Sequence, residues 1–344
     1  MGGTRLLRLG GRGRSGVKVR YVAPGAPPQD NSQDRRRTRP TAYVYTQHGG
    51  PEHEMFVEVE KPLPGPGEIC VAVHAAGVNP ADWKRRAGMT RGGALDHPVG
   101  LGREVSGTVE ALGDGVTGFA PGDEVLAQVA DGPRGGFATY ALVAASWTAP
   151  KPAGVSFTDA AALPIAAATA YDGINQLDLH SGATLLVIGA GGGVGIAACQ
   201  FAHNRGARVI GVASAAKREL VEAVGAVHVP SGDNAMTDAR SLAPNGVDGL
   251  FDLVGGTALL GLGTLVDDGS RIVTAADEAT AVALGGARVR RERTRSVLEA
   301  IVDMVDAGTF SPYVTEVFPL ARARHALGLV EAGHAKGKLV LQVA

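Results

Sequence analysis

The chain has 344 residues, a formal net charge of -1 at pH 7 and two cysteines. This length fits two domains of about 100 to 200 residues each. The near-zero net charge argues against a nucleic acid as the main partner. Two cysteines are too few for a disulfide framework or a cysteine-rich zinc site. No apolar run approaches the roughly 18 residues needed to cross a bilayer, so we expect a cytoplasmic protein without a membrane partner.

The first 40 residues differ from the rest of the chain. Ten of them are Lys or Arg, against two Asp, and glycines and prolines interrupt any periodicity. Such a segment cannot bury enough apolar surface to offset the entropy lost on ordering. We therefore predict a mostly disordered basic extension over residues 1–40. A dispensable extension, an organellar targeting peptide and a nucleic-acid-binding arm are the alternatives for its role.

The segment that follows, up to Leu163, is rich in short β-strands. Alternating apolar residues, separated by turns rich in glycine and proline, predict a mostly β domain. The predicted strands are 42–45, 56–59, 68–76, 106–112, 124–127 and 138–143. An alanine-rich helical stretch, 156–177, then leads into the second half of the chain.

A glycine loop is the most informative feature of the second half. The apolar run 183–188 is typical of a buried parallel strand, and apolar residues at helical spacing follow from Val194. Glycine permits a sharp turn, a close approach to a pyrophosphate and tight packing of helix on strand, while the helix N-terminus offers free N–H groups to an anion. With the next strand at 208–213, this βαβ unit predicts a dinucleotide site. Its glycines are Gly189, Gly191, Gly192, Gly193 and Gly195.

Further strands are predicted at 247–254 and 271–274, with a helix at 217–224. This alternation argues for a doubly wound parallel sheet, which binds ligands at the carboxyl ends of its strands. The tail from residue 311 ends in a strand, 338–343, that has no partner in this pattern. We expect the tail to return to the first domain.

Six motifs in this order resemble the medium-chain dehydrogenase/reductase superfamily, and most closely its zinc-independent quinone oxidoreductases and enone reductases. They are Ala76–Asp82, Gly102–Gly107, Gly122–Val125, Leu163–Pro164 with Thr169–Tyr171, the glycine loop, and Gly337–Val340. The resemblance implies an α/β fold with two domains. One is a GroES-like β-rich catalytic domain, residues 41–163 and 309–344; the other is a Rossmann domain with a doubly wound parallel sheet, residues 164–308. It also implies a homodimer joined at the Rossmann sheet edge, near residues 287–291.

Two substitutions distinguish the chain from the zinc-dependent alcohol dehydrogenases of that superfamily. Asn79 stands where those enzymes have a cysteine, and Arg103 stands where they have a histidine. Arginine carries only donors and cannot ligate zinc. We therefore predict a site without a metal, in which hydrogen bonds polarise the substrate carbonyl.

The end of the second Rossmann strand predicts NADPH as the cofactor. NAD enzymes carry an acid there, which binds the ribose 2′-hydroxyl and would repel a 2′-phosphate. Here no acid occurs before Glu219, while Ser214, Lys217 and Arg218 supply a hydroxyl and two cations. The alternative is that the two cations only solvate a helix start. A tyrosine common after the next strand in similar enzymes is replaced by Gly232.

The expected chemistry is hydride transfer to a quinone or an α,β-unsaturated carbonyl. Negative charge then develops on an oxygen, which needs a hydrogen-bond donor and a proton source. By the resemblance, Asn79 lies beside the nicotinamide, with a turn before Pro80 as its structural alternative, and Lys84 is a candidate proton donor or a solvated surface lysine. The expected cofactor-binding residues are Thr169, Gly189, Gly192, Gly193, Val194, Gly195, Ser214, Lys217, Arg218, Val254 and Gly255.

Three functions are compatible with these features. The first is an NADPH-dependent, zinc-independent quinone or enone oxidoreductase. The second is an enoyl-thioester reductase or a biosynthetic enone reductase of the same fold. The third is not an enzyme: an NADPH-binding sensor, or a nucleic-acid-binding protein that uses the basic extension. Nothing in the sequence identifies the acceptor substrate.

Overall fold

The computed structural model describes residues 7–9, 17–21, 39–89, 98–130 and 134–344. Its first nine strands are β1 Leu7–Leu9, β2 Val17–Tyr21, β3 Thr41–Tyr45, β4 Glu54–Glu58, β5 Glu68–Val78, β6 Val99–Gly100, β7 Glu104–Leu112, β8 Glu124–Val129 and β9 Tyr140–Pro150. Helix α1, Pro80–Arg86, follows β5 directly. β1, β2, β4, β3 and β6 form one sheet, in that order. Two short strands therefore lie in the predicted disordered extension, and most of that extension falls outside the described residues.

The second half of the chain alternates strands and helices. Its strands are β10 Thr184–Ile188, β11 Arg208–Ala213, β12 Val227–Pro230, β13 Gly249–Asp252, β14 Ile272–Thr274 and β15 Ala287–Arg288. Its helices are α2 Phe157–Ala161, α3 Ala168–Leu177, α4 Gly193–Asn204, α5 Arg218–Ala223, α6 Ala235–Leu242, α7 Gly256–Leu262, α8 Glu278–Ala283 and α9 Arg295–Asp306. The six strands form a parallel sheet in the order β12, β11, β10, β13, β14, β15.

The central strand β10 explains why helices cover both faces of this sheet. Successive side chains of a strand point to opposite faces. Leu185 and Val187 belong to the core formed with α3, α4 and α9. Leu186 and Ile188 belong to the core formed with α6 and α7. A continuous apolar run is therefore what this buried parallel strand requires.

The C-terminal segment returns to the first domain. It comprises β16 Val314–Pro319, α10 Ala323–Glu331 and β17 Lys338–Gln342. β17 pairs antiparallel with β5, and the sheet runs β16, β17, β5, β7, β8, β9, with a further pairing of β5 and β9 that closes a barrel. The β-rich barrel and the doubly wound sheet confirm the predicted fold class. The domain boundaries at 163/164 and 308/309 stay a prediction.

Between α2 and α3 the chain forms one π-helical turn, Leu163–Ala167. Such turns are rare and occur often at functional sites. Within the described part of the chain, no helix is long and apolar enough to span a membrane.

Candidate functional site

The glycine loop joins β10 to α4. Gly189 has φ of 86°, a conformation that favours glycine. A Cβ on Gly195 would lie 2.3 Å from the carbonyl oxygen of Gly189, so this glycine lets α4 pack directly on the loop. Gly192 differs, because the nearest atom to a Cβ there is 3.8 Å away. No side chain caps α4 at Gly192, so among the described residues its first-turn N–H groups have no side-chain acceptor.

A cleft of about 460 Å³ opens above this loop. It lies at the carboxyl ends of β10, β11, β12 and β13, as expected for a ligand site in a doubly wound sheet. The predicted residues Gly189, Gly192, Ser214, Lys217 and Val254 all line it. The cleft is also lined by Gly191, Gly232, Asp233 and Gly333.

The two cations after β11 have different environments. The side chain of Lys217 lies across the loop, where a Cβ on Gly191 would be 2.5 Å from its Cδ. Its ammonium donates to the carbonyl of Gly333 at 3.3 Å. Arg218 instead pairs with Glu222 at 3.3 Å on the exposed surface. The structure therefore brings Lys217 to the cleft and directs Arg218 to a neighbour on its own helix.

The loop after β13 is held by a carboxylate that the sequence reading did not single out. Asp252 is fully buried and accepts the backbone N–H groups of Val254 and Gly255 at 3.0 and 2.8 Å. Its other oxygen accepts from the hydroxyl of Thr274 at 2.6 Å. These bonds turn the chain at the end of β13 and leave Val254 59% exposed in the cleft.

Asn79 belongs to a buried polar cluster in the β-rich domain. Its amide nitrogen donates to Glu104 at 2.6 Å, and its amide oxygen accepts from the ammonium of Lys338 at 2.9 Å. Lys338 and Glu104 also form an ion pair at 2.6 Å, with side chains 3% and 0% exposed. Because an ammonium only donates and a carboxylate only accepts, these partners fix the orientation of the Asn79 amide.

The cluster reaches the doubly wound domain through both charged residues. A Cβ on Gly193, the first residue of α4, would lie 2.5 Å from Cδ of Lys338. The second oxygen of Glu104 accepts from the backbone N–H of Ile165 in the π-helical turn, at 2.7 Å. The start of α4 and the π-helical turn therefore both rest on the ion pair.

Thr169 lies one turn beyond Ile165. Its hydroxyl donates to the Ile165 carbonyl at 2.6 Å and accepts from Arg291 at 2.6 Å. Arg291 also pairs with the buried Asp172 at 3.0 Å. Burial lowers the pKa of Arg291 and raises the pKa of Asp172, and each partner opposes the shift of the other. Arg291 thereby connects the segment after β15 to α3.

Asp82 holds the backbone that presents Asn79. It is fully buried, and its two oxygens accept the backbone N–H groups of Asn79 and Gly102, at 2.9 and 3.2 Å. Burial raises its pKa from 3.8 to about 7. Since Gly102 lies two residues before Glu104, Asp82 ties together the two segments that form the cluster.

Lys84 lies on α1, where it is half-buried. Its ammonium is 5.8 Å from the centre of the Trp83 ring, and Trp83 packs partly buried against the core of the β-rich domain. In the described part of the chain, no hydrogen bond joins Lys84 to the Asn79 cluster. The structure therefore brings Asn79 and Thr169 into one network and leaves Lys84 outside it.

Comparison with known proteins places this architecture in a family. Residues 65–153 match the model of the alcohol dehydrogenase GroES-like domain, and residues 224–341 match the model named zinc-binding dehydrogenase. The human mitochondrial NAD(P)H oxidoreductase RTN4IP1 (Homo sapiens) is 31% identical, over 81% of this chain and 82% of its own length. The chloroplastic NADPH-dependent alkenal/one oxidoreductase of Arabidopsis thaliana is 31% identical, over 87% of this chain and 78% of its own.

A solved structure agrees. The quinone oxidoreductase from Coxiella burnetii superimposes with a TM-score of 0.81 and 26% identity, over 89% of this chain and all of that one. The chain therefore belongs to the medium-chain dehydrogenase/reductase superfamily, in its branch of quinone and enone reductases, as the sequence motifs predicted. It is an oxidoreductase of that branch.

Proposed function

We propose that the protein is an NADPH-dependent, zinc-independent reductase that transfers a hydride to an α,β-unsaturated carbonyl or a quinone. The observation that carries this proposal is the junction of two sites at α4. On one side of Gly193, the glycine loop faces the cleft. On the other side, Lys338 of the ion pair contacts Gly193 and also bonds to the Asn79 amide. The names of the relatives, an alkenal/one and a quinone oxidoreductase, support these substrate classes.

The cleft fits a dinucleotide phosphate. Gly192 leaves open space where a Cβ would stand, and the first turn of α4 offers N–H groups without a side-chain cap among the described residues. Ser214 and Lys217 line the end next to β11, where a hydroxyl and a cation favour a 2′-phosphate over a free ribose. These contacts support NADPH over NADH.

Asn79 supplies the donor that hydride transfer needs. When bound, the reduced nicotinamide supplies the hydride, and the acceptor oxygen gains negative charge. Glu104 uses one N–H of the Asn79 amide. The second N–H has no acceptor among the described residues, so it can donate to that oxygen or to the nicotinamide amide. We assign the proton to Lys84 or to water, since Lys84 makes no ion pair with any described carboxylate.

Zinc independence rests on what occupies the cluster. The ammonium of Lys338 lies 2.6 Å from Glu104 and 2.9 Å from Asn79. A positive charge from the chain itself therefore already neutralises the buried carboxylate. Dialysis against a chelator should leave both the activity and the melting temperature unchanged.

The test of the function is steady-state oxidation of NADPH with a panel of enones, quinones and enoyl thioesters. We expect turnover with enones or quinones, and a kcat/KM at least tenfold lower with NADH. Turnover with enoyl thioesters alone would establish the second candidate function. Tight NADPH binding with no acceptor turned over would instead identify a sensor.

Two other assignments stay predictions. The first is the cytoplasmic location, because the two curated relatives are named as mitochondrial and chloroplastic proteins. The second is the homodimer at the edge of the doubly wound sheet.

A further inference from the structure

One face of α3 holds the segment 288–292, which begins at the last residue of β15. Three polar side chains at helical spacing make the contacts, namely Thr169, Asp172 and Gln176. The Gln176 amide donates to the carbonyl of Arg288 at 3.2 Å and accepts from the N–H of Arg290 at 2.8 Å. The segment is therefore fixed along α3 as well as at the edge of the sheet.

Arg291 is the residue of this segment whose side chain turns inward. It is only 17% exposed, whereas its neighbours Arg290 and Glu292 are exposed. Its Nε donates to Asp172 at 3.0 Å, and its Nη1 donates to the hydroxyl of Thr169 at 2.6 Å. The same oxygen of Asp172 accepts from the backbone N–H of Glu292 at 3.0 Å. A carboxylate and a hydroxyl thus fix the direction of the guanidinium.

A series of hydrogen bonds leads from Thr169 to Asn79. A hydroxyl has one proton, which Thr169 donates to the carbonyl of Ile165 at 2.6 Å, so Arg291 binds its oxygen. The N–H of Ile165 donates to Glu104 at 2.7 Å, and the other oxygen of Glu104 accepts from the Asn79 amide at 2.6 Å. The series therefore connects the segment after β15 to the proposed donor.

Ile165 is the link in this series that depends most on its partners. It lies in the π-helical turn, where the regular hydrogen bonds of an α-helix are replaced. Side chains bind both its N–H and its carbonyl. Without Arg291 the Thr169 hydroxyl can rotate away, and the support for Glu104 loosens with it. A displacement of about 1 Å at a reaction site can cost about 100-fold in rate.

We propose that Arg291 is a positioning residue of the reductase, which fixes the Asn79 amide through this series of hydrogen bonds. The inference rests on the proposed function, because it concerns the residue proposed there to donate to the acceptor oxygen. Arg291 acts through its neighbours and is assigned no contact with the acceptor. The alternative is a structural role, in which its ion pair with Asp172 only attaches the segment 288–292 to α3.

Two variants separate these roles. Arg291→Met leaves the buried Asp172 carboxylate uncompensated, so we expect a melting temperature several degrees lower. Arg291→Met/Asp172→Asn removes that charge and keeps an oxygen that can accept from Glu292, so the melting temperature should return towards the original value. Thr169 lacks its donor in both variants, and we therefore expect kcat with an enone to be about tenfold lower in both. KM for the enone should stay within twofold.

Binding of 2′,5′-ADP, the adenosine bisphosphate half of NADPH, should also stay within twofold in both variants, because Arg291 does not line the cleft. Arg290→Met is the matched control. It removes an exposed cation from the same segment, and both its melting temperature and its kcat should be unchanged. Thr169→Val should reproduce the loss of kcat. Adding Arg291→Met to it should cause no further loss, since both changes act on the same hydroxyl.

Hydrogen–deuterium exchange gives a readout that needs no turnover. The backbone N–H of Ile165 is protected by its bond to Glu104. In Arg291→Met/Asp172→Asn we expect this N–H to exchange at least tenfold faster than in the unmodified protein. In Arg290→Met its exchange rate should not change.

The outcomes distinguish this inference from the proposed function. Recovery of kcat together with the melting temperature in Arg291→Met/Asp172→Asn would establish the structural role and overturn the inference. Additive losses with Thr169→Val, or unchanged exchange at Ile165, would also overturn it, because the effect would then not pass along these hydrogen bonds. If the unmodified protein turns over no acceptor, the proposed function fails and the inference fails with it. If it turns over an enone and Arg291→Met keeps its kcat, the proposed function stands and only the role of Arg291 is lost.

Discussion

The side chain of Asn79 is held on both sides, by Lys338 at its oxygen and by Glu104 at its nitrogen. Replacing Asn79 with Ala removes the proposed donor to the acceptor oxygen. We expect kcat with an enone to fall about 100-fold, the usual cost of one oxyanion donor. Binding of 2′,5′-ADP should change less than twofold, because Asn79 does not line the cofactor cleft. An unchanged kcat would show that another group stabilises the oxygen.

The negative charge of Asp82 destabilises the folded protein, because its carboxylate is fully buried. Its pKa rises from 3.8 to about 7 on folding, so the folded protein binds this proton more tightly than the unfolded chain does. The stability contributed by Asp82 is therefore greatest at low pH and is lost as the pH rises towards 7. Asp82→Asn removes this titration.

The comparison of the two proteins isolates that effect. Between pH 5 and pH 8, the free energy of unfolding of the unmodified protein should fall by about 2 to 3 kcal/mol relative to that of Asp82→Asn. Urea unfolding at several pH values measures the difference. Parallel pH profiles would mean that the pKa of Asp82 is the same in the folded and unfolded states.

At the scale of elements, the glycine loop has two roles: Gly195 allows α4 to pack on the loop, and Gly192 leaves open space for a ligand. Gly195→Ala places a methyl group 2.3 Å from the Gly189 carbonyl oxygen, so α4 must move away from the loop, at a cost of about 1 to 3 kcal/mol. Gly192→Ala meets nothing closer than 3.8 Å, and its φ of -94° is open to any residue.

The two variants should therefore differ in stability but not in binding. Gly195→Ala is expected to lower the melting temperature by several degrees, whereas Gly192→Ala should stay near the original value. Both should weaken NADPH binding at least tenfold. In Gly192→Ala the added methyl group would occupy the space proposed for the pyrophosphate, and in Gly195→Ala the start of α4 moves away from the loop. Full binding by a stable Gly192→Ala variant would contradict the proposed cradle.

Local patterns predicted most strands of both domains, but not where each strand ends. Strand 138–143 is observed at Tyr140–Pro150, because β9 pairs first with β5 and then with β8. Strand 247–254 is shorter, at Gly249–Asp252, because the Asp252 carboxylate turns the chain. Both differences come from tertiary partners, which a local pattern does not contain.

The candidate site was predictable where it depends on motifs. The glycine loop, Ser214 and Lys217 lie in one cleft as the βαβ pattern predicts. The sequence indicated Glu104 only as part of a motif, and its partner Ile165 is 61 residues away. It indicated Arg291 only as part of an expected sheet edge, and its partner Thr169 is 122 residues away. One signal was present, since a lysine at the start of the apolar strand 338–343 needs a buried partner.

At the scale of the molecule, the ion pair between Glu104 and Lys338 lies where the two domains meet. Removing one partner of such a buried pair leaves an uncompensated charge, which typically costs about 3 to 5 kcal/mol. The pair supports Asn79 in one domain and Gly193 and Ile165 in the other. The position of the amide relative to the cleft is therefore set by residues of both domains.

One of the two edge strands of the doubly wound sheet is β15, where the homodimer is predicted to form. The N–H of Val289 donates inward to the Thr274 carbonyl at 2.8 Å, so alternation along the strand directs the N–H of Arg288 outward. Pairing of two such edges would continue the sheet across both copies. The charge of Arg288 does not oppose this, because Glu278 lies 3.4 Å away.

Arg288→Pro tests that edge. Proline removes the outward N–H without removing an inward hydrogen bond, so we expect the variant to be a monomer of 35.0 kDa. The unmodified protein and Arg288→Ala, which keeps the N–H, should both elute at twice that mass in size-exclusion chromatography with light scattering. NADPH binding should survive in the monomer, because the described residues of a single chain form the whole cleft. A dimeric Arg288→Pro variant would place the interface elsewhere on the molecule.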